Sequence, residues 1–239
     1  MLSFALCVVL AACAPRDLRA RAERAQGGAV TGLIRMVDAQ VHAGFPGRWR
    51  WRNAYQAPER YAWTIQRLEG QDHYLFDGET ARAFAGDVAV SATREQAAPL
   101  RSHARFYSVV LLNALARPDV QATPLAAAAL PPGVVAGLAV VLPDGARYRL
   151  GFDARDRVVW ATGPLELPPL PPAEASVRFD DFRETGGVEL PFHAVWELGG
   201  QPLADEKVVA MCPNPPGLDV ESFRTPRAMP PCGAWADYR

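Results

Sequence analysis

His42, His73, His103 and His193 are the side chains best suited to acid–base work or metal binding. No two of them fall within the about three to five residues that place a ligand pair together. The chain has no Gly-x-Ser-x-Gly elbow, no phosphate-cradling glycine loop and no Cys-x-x-Cys motif. The adjacent carboxylates Asp180-Asp181 would, on a strand, point to opposite faces, so they cannot share a proton. These patterns predict no catalytic residue, metal or cofactor, although a hydrolase site can be assembled from distant residues. The thiols Cys7, Cys13, Cys212 and Cys232 remain.

Leu10-Ala11-Ala12-Cys13 reads as a lipobox. The apolar run Leu2 to Leu10 is too short for a hydrocarbon core of about 30 Å and ends in two small residues before a cysteine. It resembles the start of bacterial lipoprotein precursors, which implies a signal peptide over residues 1–12, a lipidated N-terminus over 13–29 and acyl chains on Cys13. More than one chain suffices for stable anchoring. Met1-Leu2-Ser3-Phe4 carries no Lys or Arg, unlike the usual opening of a signal peptide, so the start lies upstream or the motif arises by chance. Ala14 is not the aspartate that retains lipoproteins at the inner membrane of enteric bacteria, which points to the periplasmic side of the outer membrane. With Cys7 removed and Cys13 acylated, Cys212 and Cys232 form an even remainder. In an exported protein this suggests a disulfide, two free structural thiols being the alternative.

Hydrophobic content of 49% and charged content of 21% suit a chain that buries a core, and residues 30–239 are read as one domain. The net charge of -1 gives no global electrostatic steering, so nucleic acid, whose binding relies on a basic face, is not an expected partner. Lys207 is the only lysine.

The elements follow from periodicity. Asp17 to Ala25 predicts a short helix ended by Gly27-Gly28. From Val30 to Ala92 the spacing is that of strands: Trp49 and Trp51 alternate with arginines, Tyr61, Trp63 and Ile65 share a face, and Asp77-Gly78 turns a hairpin between Tyr74-Leu75-Phe76 and Thr80 to Phe84. Leu100 to Leu115 has helical spacing, and its second half is apolar nearly all round, so it must be enclosed, most simply inside a curved sheet. Thr123 to Gly133 reads as a loop. Strands resume at Gly137 to Leu142, Arg147 to Phe152, Val158 to Thr162, Ser176 to Arg183, Val188 to Leu198 and Pro202 to Cys212. Gly163 to Pro172 contains five prolines and predicts an edge or a loop across the sheet's mouth. The tail from Pro213 is Pro-rich and would be fastened by the cysteine pair.

Two blocks now carry a resemblance. Ala57-Pro58-Glu59-Arg60-Tyr61-Ala62-Trp63 followed by Phe76-Asp77-Gly78 forms one. Val177 to Arg183, Gly187 to Pro191, and the ending Asn214, Leu218, Phe223 and Pro226 form the other. Their order and spacing resemble the LolA/LolB-like superfamily of lipoprotein carriers, receptors and lipid-binding lipoproteins. The resemblance implies an α+β fold: an antiparallel half-barrel of roughly eleven strands, covered by a few helices, whose concave face holds the acyl chains of lipids or lipoproteins. The carriers often have an arginine before the strand proline, where this chain has Ala57, and they lack an anchor, so a receptor or sensor fits better. The expected cavity residues are Trp49, Trp51, Tyr61, Trp63, Ile65, Tyr74, Phe76, Leu111, Tyr148, Phe152, Trp160, Phe192 and Trp196. The expected function is acyl-chain binding without catalysis; the alternative is an envelope sensor or assembly protein that binds a partner protein on the same fold.

Overall fold

The computed structural model describes residues 15–90 and 94–233, so the lipobox and Cys13 lie outside the described residues. A first helix, α1 (Pro15–Gln26), leads into six strands: β1 (Gly32–Val41), β2 (Gly47–Gln56), β3 (Arg60–Arg67), β4 (Gly70–Phe76), β5 (Ala81–Ala85) and β6 (Val88–Val90). The long helix α2 (Arg94–Val110) and a single 3-10 turn (Ala114–Ala116) come next. Seven strands complete the chain: β7 (Gln121–Pro124), β8 (Ala136–Val141), β9 (Arg147–Phe152), β10 (Val158–Leu165), β11 (Ala173–Thr185), β12 (Val188–Leu198) and β13 (Gln201–Pro213).

All thirteen strands form one antiparallel sheet, in the order β6-β5-β4-β3-β2-β1-β13-β12-β11-β10-β9-β8-β7. Two meanders are thus joined where the first strand pairs with the last, from Leu33 opposite Pro213 to Val41 opposite Ala204. The chain must then cross from the edge at β6 to the edge at β7, and α2 makes that crossing. It packs on both β3 and β10, which lie six strand spacings apart in the sheet. Laid flat, that separation would be about 29 Å at ~4.8 Å per strand, whereas a helix with its side chains is about 10–12 Å wide. The sheet is therefore curled around α2.

The concave face carries two apolar clusters. Phe106, Val109 and Leu112 of α2 and its C-terminal extension pack with Leu138, Tyr148, Leu150, Phe152, Val177 and Trp196. Leu100, Ala104 and Leu111 pack with Leu33, Trp51, Tyr55, Tyr61 and Phe76. On the convex face the C-terminal tail lays Leu218, Phe223 and Met229 over Ile34, Ala54, Ala62 and Leu75, where two alanines make room for the Phe223 ring. Asn214 ties the tail to the start of β1: its Oδ1 accepts from the Thr31 and Gly32 amides and its Nδ2 donates to the Ala29 carbonyl. Asp77 accepts from the Glu79 and Thr80 amides, which fixes the β4–β5 turn, and from Arg82 and Arg224. Its partial burial raises its pKa, but these four donors outweigh that and hold the carboxyl well below the ordinary range.

Several details differ from the sequence-based expectation. The sheet has thirteen strands rather than roughly eleven; short β6 and β7 are too brief to show alternation, and β7 falls partly in the Ala- and Pro-rich segment read as a loop. Helix α2 starts before Pro99, which lies in its second turn and removes one backbone bond without ending it. It stops at Val110 rather than Leu115 because Leu112 takes a left-handed φ of 64°. Gly163, Pro164 and Leu165 belong to β10; Pro164 is tolerated because the pairing with β9 has already ended at Thr162. Gly27 is required where α1 meets the β11–β12 turn, since a Cβ there would lie 2.4 Å from the Gly187 carbonyl.

Cys212 and Cys232 form a disulfide that fastens the tail, with a sequence separation of 20. Closing a loop of that size stabilises the fold by about 3 kcal/mol in the chain-entropy model. Urea unfolding of the double variant Cys212→Ser/Cys232→Ser should show a loss near that figure, and an unchanged midpoint would show that the tail holds without it.

Candidate functional site

Between the N-terminal half of α2 and the sheet lies a cavity of about 540 Å³. Trp49, Trp51 and Asn53 of β2, Tyr61, Trp63 and Ile65 of β3, and Tyr74 of β4 form one wall. Trp196 of β12 with Leu203, Ala204 and Glu206 of β13 form the other. Leu100, His103 and Tyr107 of α2 form the roof, and Leu167, Pro168 and Leu170 of the proline-rich segment close one side. Phe45, which also lines this space, is exposed, and Leu68 in the β3–β4 turn is fully exposed.

The rings brace one another. Trp51 meets Trp63 edge-on at 6.0 Å, and His103 stacks on Tyr61 at 5.3 Å and on Trp63 at 6.0 Å. Tyr107 stacks on Tyr55 at 6.0 Å. Contacts of this kind hold large side chains against each other and against α2, so the wall keeps its shape without filling the space it encloses.

Charge is confined to two compensated pairs. Buried Arg35 of β1 donates to Glu206 of β13 at 2.8 Å and to the Tyr107 hydroxyl of α2. Burial works against the Arg35 charge, but Tyr107 and Glu206 beside it hold its pKa above the ordinary guanidinium value. Arg67 pairs with Asp72 at 2.9 Å and lies 5.1 Å above the Trp49 ring. The Asn53 amide donates to the Tyr61 hydroxyl, whose pKa burial pushes up, so Tyr61 is a neutral phenol.

Among the described residues that line the cavity, no nucleophile is hydrogen-bonded to a histidine. His193 bridges Asp180 and Asp205 on the sheet's other face, and His73 contacts Thr64 there. Among the described residues no group of three or more His, Cys, Asp or Glu side chains is placed to hold a metal.

Of the thirteen expected cavity residues, Trp49, Trp51, Tyr61, Trp63, Ile65, Tyr74 and Trp196 line the cavity. Leu111 lines a smaller one of about 60 Å³ beside Phe106 and Arg35. Phe76, Tyr148 and Phe152 face the concave side but are packed solid there, Tyr148 against Gly163 and 6.1 Å from Phe106. Phe192 is half-buried on the same face under the Arg183 guanidinium. Trp160 is a correction: Ala161 and Leu165 take the inward positions of β10, so the alternation turns Trp160 outward, where it covers Gly151 and donates to Ser176. The sequence reading missed Asn53, His103 and Glu206. Asn53 shares parity with Trp49 and Trp51, and His103 lies one turn from Leu100 and Tyr107, so period alone could have placed both.

Burial in this wall lowers the His103 pKa, the Pro99 carbonyl opposing only in part. Below the ordinary histidine value of about 6.5 the unfolded chain then binds a proton that the folded chain refuses, so stability falls as the pH drops. His103→Phe keeps the stacked ring and should flatten the decline in unfolding free energy between pH 7 and 5; an identical slope would show that His103 titrates freely in the fold.

No family model matches the sequence, and neither does any curated protein. Solved structures do match the fold. A LolA superfamily protein from Nitrosomonas europaea is similar at a TM-score of 0.55 and 12% identity, over 87% of this chain and 96% of that one. A DUF1329 family protein from Desulfovibrio piger gives a TM-score of 0.46 at 9% identity, over 87% and 94%. With its antiparallel sheet curled over α2, the chain has the LolA-like fold.

Proposed function

We propose that the protein binds an acyl chain, of a lipid or a lipoprotein, in the cavity under α2, without catalysis, and that Cys13 anchors it by lipidation on the periplasmic side of the bacterial envelope. The observation that carries this reading is an aromatic-walled space of about 540 Å³ inside the fold. At roughly 30 Å³ per small group, the share of a water molecule in the liquid, it has room for about eighteen methylenes. Each methylene moved from water into such a site contributes about 0.8 kcal/mol, so a chain of that length binds without a charged contact. The volume also falls within the range of about 300–1,000 Å³ found for small-molecule sites.

Ala204 lines the cavity from β13 and its side chain is small. Ala204→Trp should fill part of the space, leave the circular dichroism spectrum in place and weaken binding of a fluorescent acyl probe by about ten-fold or more. Unchanged binding in a folded variant would remove the cavity as the site.

A further inference from the structure

The cavity wall carries its charges already neutralised. Of its described residues only Arg67 and Glu206 are Asp, Glu, Lys or Arg, and each is engaged by its own counterion, Asp72 and Arg35 respectively. A carboxylate entering this space would meet Glu206 and find no spare cation, in surroundings of low dielectric where an uncompensated charge is costly.

Uncharged polar groups, by contrast, are left over. Asn53 Oδ1, Trp63 Nε1 and Trp196 Nε1 are buried without a hydrogen-bond partner, and all three belong to lining side chains. Native interiors leave few such groups unpaired, and those that persist call for a partner. Asn53 and Trp63 are directly paired across β2 and β3, so an acceptor and a donor stand side by side. His103 adds a second acceptor. Its Nδ1 lies 2.9 Å from the Pro99 carbonyl, which can only accept, so Nδ1 carries the proton and Nε2 presents a lone pair.

We infer that the cavity selects an acyl chain joined to an uncharged polar group that offers both a carbonyl oxygen and an N–H or O–H, as an amide-linked chain does, over a free fatty acid. The carbonyl accepts from the Trp63 indole, and the N–H or O–H donates to His103 Nε2 or Asn53 Oδ1. This deepens the acyl-binding reading above and rests on it.

The test uses a matched pair of probes, N-myristoylethanolamine and myristate, titrated by calorimetry into the full chain at pH 8, where myristate is ionised. The amide should bind about ten-fold tighter or more. His103→Phe and Trp63→Phe keep an aromatic ring and remove the hydrogen-bonding groups; in either folded variant the preference for the amide over myristate should shrink to about three-fold or less. Trp196→Phe gives an independent third variant. Equal affinities in the wild type, tighter myristate, or a preference that survives all three substitutions would overturn the inference while leaving acyl binding standing. Failure of both probes to bind would overturn the acyl-binding reading as well.

Discussion

A chain whose first and last strands are neighbours has no choice about its middle: it must travel from one free edge of the sheet to the other. Here β1 pairs with β13, the free edges are β6 and β7, and α2 is the bridge. Because α2 touches both β3 and β10, the crossing and the curl of the sheet are one constraint. The buried Arg35–Glu206 pair sits across the β1–β13 seam and binds the Tyr107 hydroxyl, so the seam and the crossing helix are held by the same three side chains. Removing one partner of such a pair strands a buried charge, at a cost of about 3–5 kcal/mol, which makes this contact as important for the register as any apolar cluster.

The cavity follows from how α2 fills that curl. Its C-terminal half and the residues after it bury Phe106, Val109 and Leu112 against β8, β9 and β11, which leaves a cavity of only about 60 Å³ there. Its N-terminal half presents His103 and Tyr107 to a wall of large rings on β2, β3 and β4 that lean on one another. Rigid rings braced against one another cannot collapse inward as leucines would, so the larger of the two cavities lies beside the N-terminal half of the helix. Some of the wall's polar atoms, the Trp63 and Trp196 indole nitrogens among them, sit on such rings.

Much of this was legible in the chain itself. Strict alternation through Trp49, Trp51, Tyr61 and Trp63 marked the strands that form the wall, and the nearly all-round apolar character of Phe106 to Leu115 marked a helix that had to be enclosed. The even pair of cysteines foretold the bridge that fixes the tail. What could not be read was which inward residues would be covered. Phe76, Tyr148 and Phe152 have the same parity and type as the cavity residues, and only the path of α2 across the face decides that they are packed while Trp63 is not. Trp160 was misplaced because Gly151, its partner on β9, leaves room for a large ring on the outward face, so residue size alone does not give the side. Arg35 and Glu206 are far apart in sequence, and nothing local announces that β1 and β13 meet.

The motifs that suggested the fold have structural roles of their own. Asp77 and Gly78 shape a turn and dock Arg224 of the tail, and Asn214 staples the first strand to the last. These residues hold the frame; the rings of β2 and β3, with His103, face the cavity.

The account stands or falls on whether the space under α2 is filled by an acyl chain in the protein as the cell makes it. Native mass spectrometry of the full chain, extracted from its host membrane in mild detergent, measures this directly. The account predicts one acyl-bearing molecule per chain beyond any lipid on Cys13, lost in a folded Ala204→Trp variant. A mass equal to that of the bare or merely lipidated chain, with no acyl compound recovered on denaturation, would contradict it.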